Sequence, residues 1–253
     1  MNQSVSLPMF PNAETLLPQL AEIGYKGVEV WGRGENFPQL CQSARREGLQ
    51  VCAMIGSARA LNAKDEHAEA EAEIRESIDI ATSEGISDLI CFSGSRREGF
   101  TDAQGIETVV EGFSRVAAYA EEKEVTLLLE LLNSKVDHPG YQADHTTFGV
   151  EVCRRVNSPR VRLLYDIYHM QIMEGDIIRT IRENIEWIGH FHTAGNPGRN
   201  DPDDQQELNY SAIAKTVLEL NFPGFIGHEF SPKQDALAAL HEAYTIWNRA
   251  AAG

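Results

Sequence analysis

Residues 125–166 read VTLLLELLNSKVDHPGYQADHTTFGVEVCRRVNSPRVRLLYD. An apolar run, VTLLLEL at 125–131, leads to a longer amphipathic stretch over about 143–156, and a second apolar run, VRLLYD, follows at 161–166. Short apolar runs bounded by polar turns read as buried strands of a parallel sheet, and the longer stretch reads as the helix that crosses between them. The segment is one strand–helix–strand unit.

The alternation continues in both directions. Toward the C-terminus, strands are expected at 187–193 (WIGHFHT) and 225–230 (FIGHEF), with helices over about 175–184, 210–220 and 233–250. Toward the N-terminus, strands are expected near 3–7, 26–31, 50–55 and 87–93, with helices near 12–23, 36–47, 65–84 and 102–122. Asn12 reads as a helix N-cap with Glu14 in the first turn, and Gly48 and Gly85 read as helix stops. Strict alternation demands a parallel sheet with right-handed crossovers. Eight such units in 253 residues predict an α/β fold of one domain, a single (β/α)8 TIM barrel over 1–253. A doubly wound sheet would carry a glycine-rich phosphate loop after its first strand, whereas residues 7–12 read LPMFPN.

The composition, 42% hydrophobic and 24% charged, is that of an ordinary globular protein. No stretch approaches the roughly 20 apolar residues of a membrane span. The opening MNQSVSLPMF lacks the basic and apolar regions of a signal peptide, so a cytoplasmic location is expected. Cys41, Cys52, Cys91 and Cys153 are widely spaced and form no CxxC pair, which reads as free thiols in a reducing compartment. The net charge of −16 argues against nucleic acid and anionic lipid as partners. It leaves room for a small-molecule substrate, because local arginines can reverse the field inside a pocket.

Barrels of this kind place their chemistry at the C-terminal ends of the strands. The fifth strand ends in Glu130 and the sixth in Asp166; the seventh carries His190 and His192, and the eighth brings Glu229. A strand-end carboxylate taken singly reads as a solvated loop residue or a helix cap. Here four consecutive strands each deliver a metal-competent group, and apolar runs lead straight into Glu130 and Glu229. Three carboxylates are costly to gather at one mouth without a cation. One divalent metal ion is therefore expected, with Mn2+, Mg2+ or Co2+ suiting oxygen ligands plus one imidazole better than a closed zinc site does.

Strand periodicity puts Glu130 on the face of Leu128 and Glu229 on the face of Gly227, where the glycine leaves space. His190 and His192 share a face, with His192 as ligand and His190 behind it or on the substrate. His228 points the other way, toward the helices. His169 is placed to meet a substrate hydroxyl. Arg199 lies in the long polar segment 193–209 and suits an oxygen-rich substrate. Trp31 is expected as an apolar wall of the substrate pocket or as core, and Arg96 and Arg97 as solvent-facing.

The segments ELLNSKVDHPGY (130–141), YDIYHMQIMEGD (165–176), HFHTAGNPGRN (190–200) and GHEF (227–230) resemble the signatures of hydroxypyruvate isomerase-like proteins. These belong to the xylose isomerase-like TIM barrel superfamily, together with the ketose 3-epimerases. The resemblance implies metal ligation by Glu130, Asp166, His192 and Glu229, an acid–base pair of Glu130 and Glu229, and substrate contacts from His169 and Arg199. It also implies homo-oligomers. Hydroxypyruvate isomerases carry glutamine at the position of His192, whereas ketose 3-epimerases carry histidine. The expected activity is proton transfer through an enediolate on a small hydroxy-carbonyl compound, hydroxypyruvate to tartronate semialdehyde, with sugar epimerisation as the alternative. Two other classes remain to be weighed. A phosphodiesterase of the endonuclease IV type needs several metals and a DNA-binding surface, which the −16 charge opposes. A non-catalytic sugar-binding barrel would have lost a ligand or a glutamate, and this chain keeps both.

Overall fold

In the computed structural model, which describes residues 1–250, eight parallel strands close into one barrel in sequence order. They are β1 (Asn2–Ser6), β2 (Gly27–Val30), β3 (Gln50–Ala60), β4 (Asp88–Phe92), β5 (Thr126–Glu130), β6 (Val161–Asp166), β7 (Ile188–Thr193) and β8 (Phe225–His228). The ring shuts where β1 pairs with β8, Ser4 opposite Gly227. The helices are α1 (Leu17–Ile23), α2 (Phe37–Arg46), α3 (His67–Glu84), α4 (Asp102–Ser114), α5 (Ala117–Lys123), α6 (Thr146–Val156), α7 (Ile167–Met173), α8 (Ile177–Asn184), α9 (Tyr210–Glu219) and α10 (Ala236–Ala250). No described helix is long and apolar enough to cross a membrane.

The period of two sorts the strand side chains into two cores. Val28, Leu127, Leu129, Tyr165, Phe191 and Ile226 are buried in the large cluster shared with the helices. Each fully buried side chain of this size contributes about 1.5–3 kcal/mol, so this layer holds the barrel shut. The residues facing the other way divide the barrel interior in half. Ala53, Ile90, Leu128 and Leu164, from β3 to β6, form a separate apolar cluster with Ile55 and Phe92 against it. Ser4, Glu29, His190 and His192, from β1, β2 and β7, are buried and polar. Gly227 on β8 makes room for them: a Cβ there would overlap the Glu29 carboxylate and come 2.8 Å from His192 Cδ2.

Several elements differ from expectation. Asn12 is left-handed with φ 54° and makes no side-chain cap. Its carbonyl instead accepts from the Thr15 amide in a 3-10 turn. Pro18 has no amide to donate and sits in the first turn of α1, so the α-helix begins at Leu17. The helix expected over 102–122 breaks into α4 and α5. At the break the Arg115 and Val116 amides turn tightly onto Gly112 and Phe113, and the Arg75 side chain takes the Arg115 carbonyl. β3 runs on to Ala60 through two register shifts. An additional helix, α7, starts directly at β6, because the Asp166 side chain caps it by accepting from the His169 amide at 3.1 Å. The four cysteines are free and buried.

Candidate active site

Closing the barrel brings the ends of β5 to β8 together. Glu130, Asp166, His192 and Glu229 each offer a ligand atom, and those atoms all lie within 4.8 Å of one another. β8 ends at His228, but the Glu229 amide still donates to the Thr193 carbonyl at 3.0 Å, so Glu229 stays in register with β7. His192 Nδ1 lies 3.1 Å from Glu229 Oε2, 3.6 Å from Glu130 Oε1 and 4.0 Å from Asp166 Oδ2. It has no hydrogen-bond partner among the described residues. Asp166 commits Oδ1 to capping α7 and leaves Oδ2 toward the cluster.

Arg199 arrives from the loop after β7. Its backbone is left-handed, φ 54°, and its carbonyl accepts from the Ser231 amide, which ties the loop to the segment after β8. The guanidinium reaches Glu229 Oε2 at 2.5 Å, stands 3.9 Å from Asp166 Oδ2 and lies over the Tyr168 ring. His169 is carried by α7 and is fully buried. Asn133 holds it. The Asn133 carbonyl oxygen accepts the Val136 and Asp137 amides, so its amide group donates, at 2.6 Å, to His169 Nδ1. That leaves His169 Nε2 as the N–H, without a partner and 3.7 Å from Asp166 Oδ2.

Burial penalises every charge in this group, and the neighbours decide the outcome. Glu229 is buried, yet His192 and Arg199 hold its carboxyl down at about 2. Burial pushes Glu130 and Asp166 up, helped by their like-charged neighbours. His192 is raised despite its burial, because Glu229 and Glu29 face it. Burial and the nearby Arg199 lower His169.

A cavity of about 190 Å³ opens over the cluster, lined by Glu130, His192, Arg199 and Glu229 on one side and by Ile55, Ile90, Phe92 and Leu132 on the other. Trp31 and His138 also line it. Trp31 is 43% exposed, so it is a rim residue and not core. Of the two places expected for His190, the structure gives the one behind His192: it is fully buried, does not line the cavity, and bonds Glu29, so it is not placed for substrate contact. His228 faces outward, bonded to Thr193 and Gln3 and edge-on to Tyr25. Arg96 pairs with Asp102 and Asp144, and Arg97 with Asp65 and Glu66, outside the cavity.

Glu29 went unrecognised in the sequence. It accepts from His192 Nε2 at 2.8 Å and from His190 Nε2 at 3.0 Å. The available signal was a carboxylate between Val28 and Val30 inside an apolar strand. His138 and Asn133 were also missed, since neither stands at a strand end.

The donor set fits a divalent cation. Three carboxylate oxygens and one unpartnered imidazole nitrogen converge, buried, all within 4.8 Å of one another. An oxygen-rich set with one nitrogen is what a hard or borderline divalent cation takes.

The family model of the xylose isomerase-like TIM barrel matches residues 17–246. A Danio rerio protein provisionally named as a hydroxypyruvate isomerase is 28% identical over 256 residues, 95% of this chain and 91% of that one. The 2-oxo-tetronate isomerase of Cupriavidus necator is 35% identical over 133 residues, 53% of this chain and 50% of that one. Two solved structures superpose with a TM-score of 0.81. One, described as an AP endonuclease of family 2 from Brucella melitensis, is 24% identical over 95% of this chain and 97% of its own. The other, an L-ribulose 3-epimerase, is 18% identical over 100% of this chain and 96% of its own. At these identities the structural likeness shows the fold alone.

Proposed function

The chain belongs to the xylose isomerase-like TIM barrel family, and from that premise we propose that it is a metal-dependent isomerase of a short 2-oxo acid with a hydroxyl on the next carbon. The carrying observation is the convergence of Glu130, Asp166, His192 and Glu229 beneath a small cavity. At about 190 Å³ that cavity is small, which favours a short compound. Ile55, Ile90, Phe92 and Leu132 offer no hydrogen-bond partner to a longer polyol tail. Hydroxypyruvate and 2-oxo-tetronate, the compounds in the relatives' names, both carry the 2-oxo group beside a hydroxylated carbon.

Glu130, Asp166, His192 through Nδ1 and Glu229 would hold the ion, with Mn2+, Mg2+ and Co2+ as the candidates. A cation of this kind polarises a carbonyl as a Lewis acid. Glu130 and Glu229 stand three strands apart around the ring, so they approach a bound acid from different sides. One glutamate takes the proton from C3, and the electrons of that bond form the enediolate between C3 and C2. The partner returns a proton to C2, and the proton of the C3 hydroxyl passes to the C2 oxygen. C3 becomes the new carbonyl carbon while C2 becomes the carbinol. His169 offers its Nε2 hydrogen to a substrate oxygen, and Arg199 meets the substrate carboxylate.

A ketose 3-epimerase is the second reading, favoured by the histidine at position 192. The same pair would then return the proton to the carbon that lost it, from the other face. A Mn2+-supplemented panel of hydroxypyruvate, 2-oxo-tetronate and free ketoses, followed by NMR in D2O, separates the two. Turnover of either acid with deuterium appearing at C2 is expected. Epimerised ketose with both acids untouched would reject the acid reading.

A further inference from the structure

The orientation of His192 is set one layer below the site. Glu29, at the centre of β2, is only 1% exposed. A buried carboxylate is expensive unless its oxygens are bonded. Ser4 Oγ donates to Oε1 at 2.6 Å, His190 Nε2 meets the same oxygen at 3.0 Å, and His192 Nε2 meets Oε2 at 2.8 Å. Only a glycine at 227 leaves space for this arrangement, since a Cβ there would overlap Glu29 Oε1. His190 is held in turn. It stacks on Phe225 and turns Nδ1 toward Asp88 Oδ2 at 3.5 Å. Neither Glu29 nor His190 lines the cavity above.

An ionised carboxylate only accepts hydrogen bonds, so the His192 nitrogen facing Glu29 must carry the hydrogen. A neutral imidazole has one N–H and one lone pair, and the lone pair is then left on Nδ1. Nδ1 is the atom that faces Glu229, Glu130 and Asp166 without a hydrogen-bond partner among the described residues. We infer that Glu29 is a positioning residue that makes His192 a metal ligand through Nδ1, with His190 anchoring Glu29 from below. The inference rests on the metal site proposed above.

The test compares wild type with Glu29→Gln and Glu29→Ala, using Mn2+ alone as the probe. Glutamine keeps the size of the side chain, but its amide oxygen can accept from only one imidazole. It also removes the negative charge, so even with its oxygen turned to His192 it is a weaker acceptor for Nε2–H. With its NH2 turned there it forces His192 to accept. Either way the Nε2–H form of His192 is held less firmly. Calorimetric titration of metal-free protein should show Mn2+ affinity 10- to 100-fold weaker in Glu29→Gln. Pulsed EPR should show the signal of a directly bound imidazole nitrogen in wild type, reduced or absent in the variant. Thermal unfolding of the metal-free proteins separates this effect from a loss of stability, and Glu29→Gln carries the test if Glu29→Ala does not fold. Mn2+ affinity within threefold of wild type in Glu29→Gln, with an unchanged imidazole signal, would overturn the positioning role and leave the metal site standing. A wild-type protein that binds no Mn2+ would overturn the metal site, and the positioning role with it.

Discussion

Arg199 Nη2 lies 2.5 Å from Glu229 Oε2 and also faces Asp166 Oδ2 at 3.9 Å, so a single guanidinium balances two of the three clustered carboxylates. Removing one partner of a buried ion pair leaves the other charge uncompensated. Arg199→Ala should therefore destabilise the metal-free protein by about 3 kcal/mol at neutral pH. A divalent ion supplies replacement charge, so saturating Mn2+ should recover most of that loss. Urea unfolding with EDTA and with Mn2+ measures both, and equal losses in the two conditions would contradict the shared charge balance.

Glu130 is expected to move a proton as well as bind metal. Glu130→Gln keeps an oxygen donor but no base. Exchange of solvent deuterium into substrate should fall by about 10²–10⁴-fold, while Mn2+ is still bound. Exchange near the wild-type rate in the variant would remove Glu130 from the acid–base pair.

Trp31 lines the cavity from an exposed rim position, 43% accessible. Trp31→Ala should raise KM several-fold with little change in kcat, because it removes substrate contact and no reacting group. Stability should change by less than about 0.5 kcal/mol, as for other surface positions. A large drop in Tm with unchanged KM would return Trp31 to a structural role.

The histidines below the site give the metal-free protein a pH signature. Burial opposes the charge on His190, but Glu29 and Asp88 carry it up to about 9. A folded-state pKa above the ordinary 6.5 contributes stability that is complete below 6.5 and disappears as pH rises through 9. His192, also raised, acts in the same direction. Unfolding free energy in EDTA should fall by on the order of 3 kcal/mol between pH 6.5 and 9.5. At the acid end the sign reverses for Glu229. Its contribution is present above about 4.5 and disappears as pH falls through about 2. A flat stability profile above pH 6.5 would contradict the charged pairing with Glu29.

The barrel was legible from the chain because its determinants are local. Runs such as TLLLE and VRLLYD carry their period within a few residues, and the count of eight units follows from adding them. Strand ends are legible for the same reason, and Glu130, Asp166, His192 and Glu229 all stand at or beside them. Asn12, Pro18 and the break at Arg115–Val116 were not, since each depends on which amide a neighbouring turn leaves free.

Glu29 marks the other limit. It lies 161 residues from His190 and 163 from His192, and no spacing rule links them. Only closure of β8 onto β1 puts β2 near β7, and only Gly227 leaves the volume that the Glu29 carboxylate fills. The chain by itself determined the barrel and the four groups at its mouth, through periodicity and strand-end position. The tertiary structure decided which histidine nitrogen faces those groups, because a hydrogen-bond acceptor from across the ring sets it.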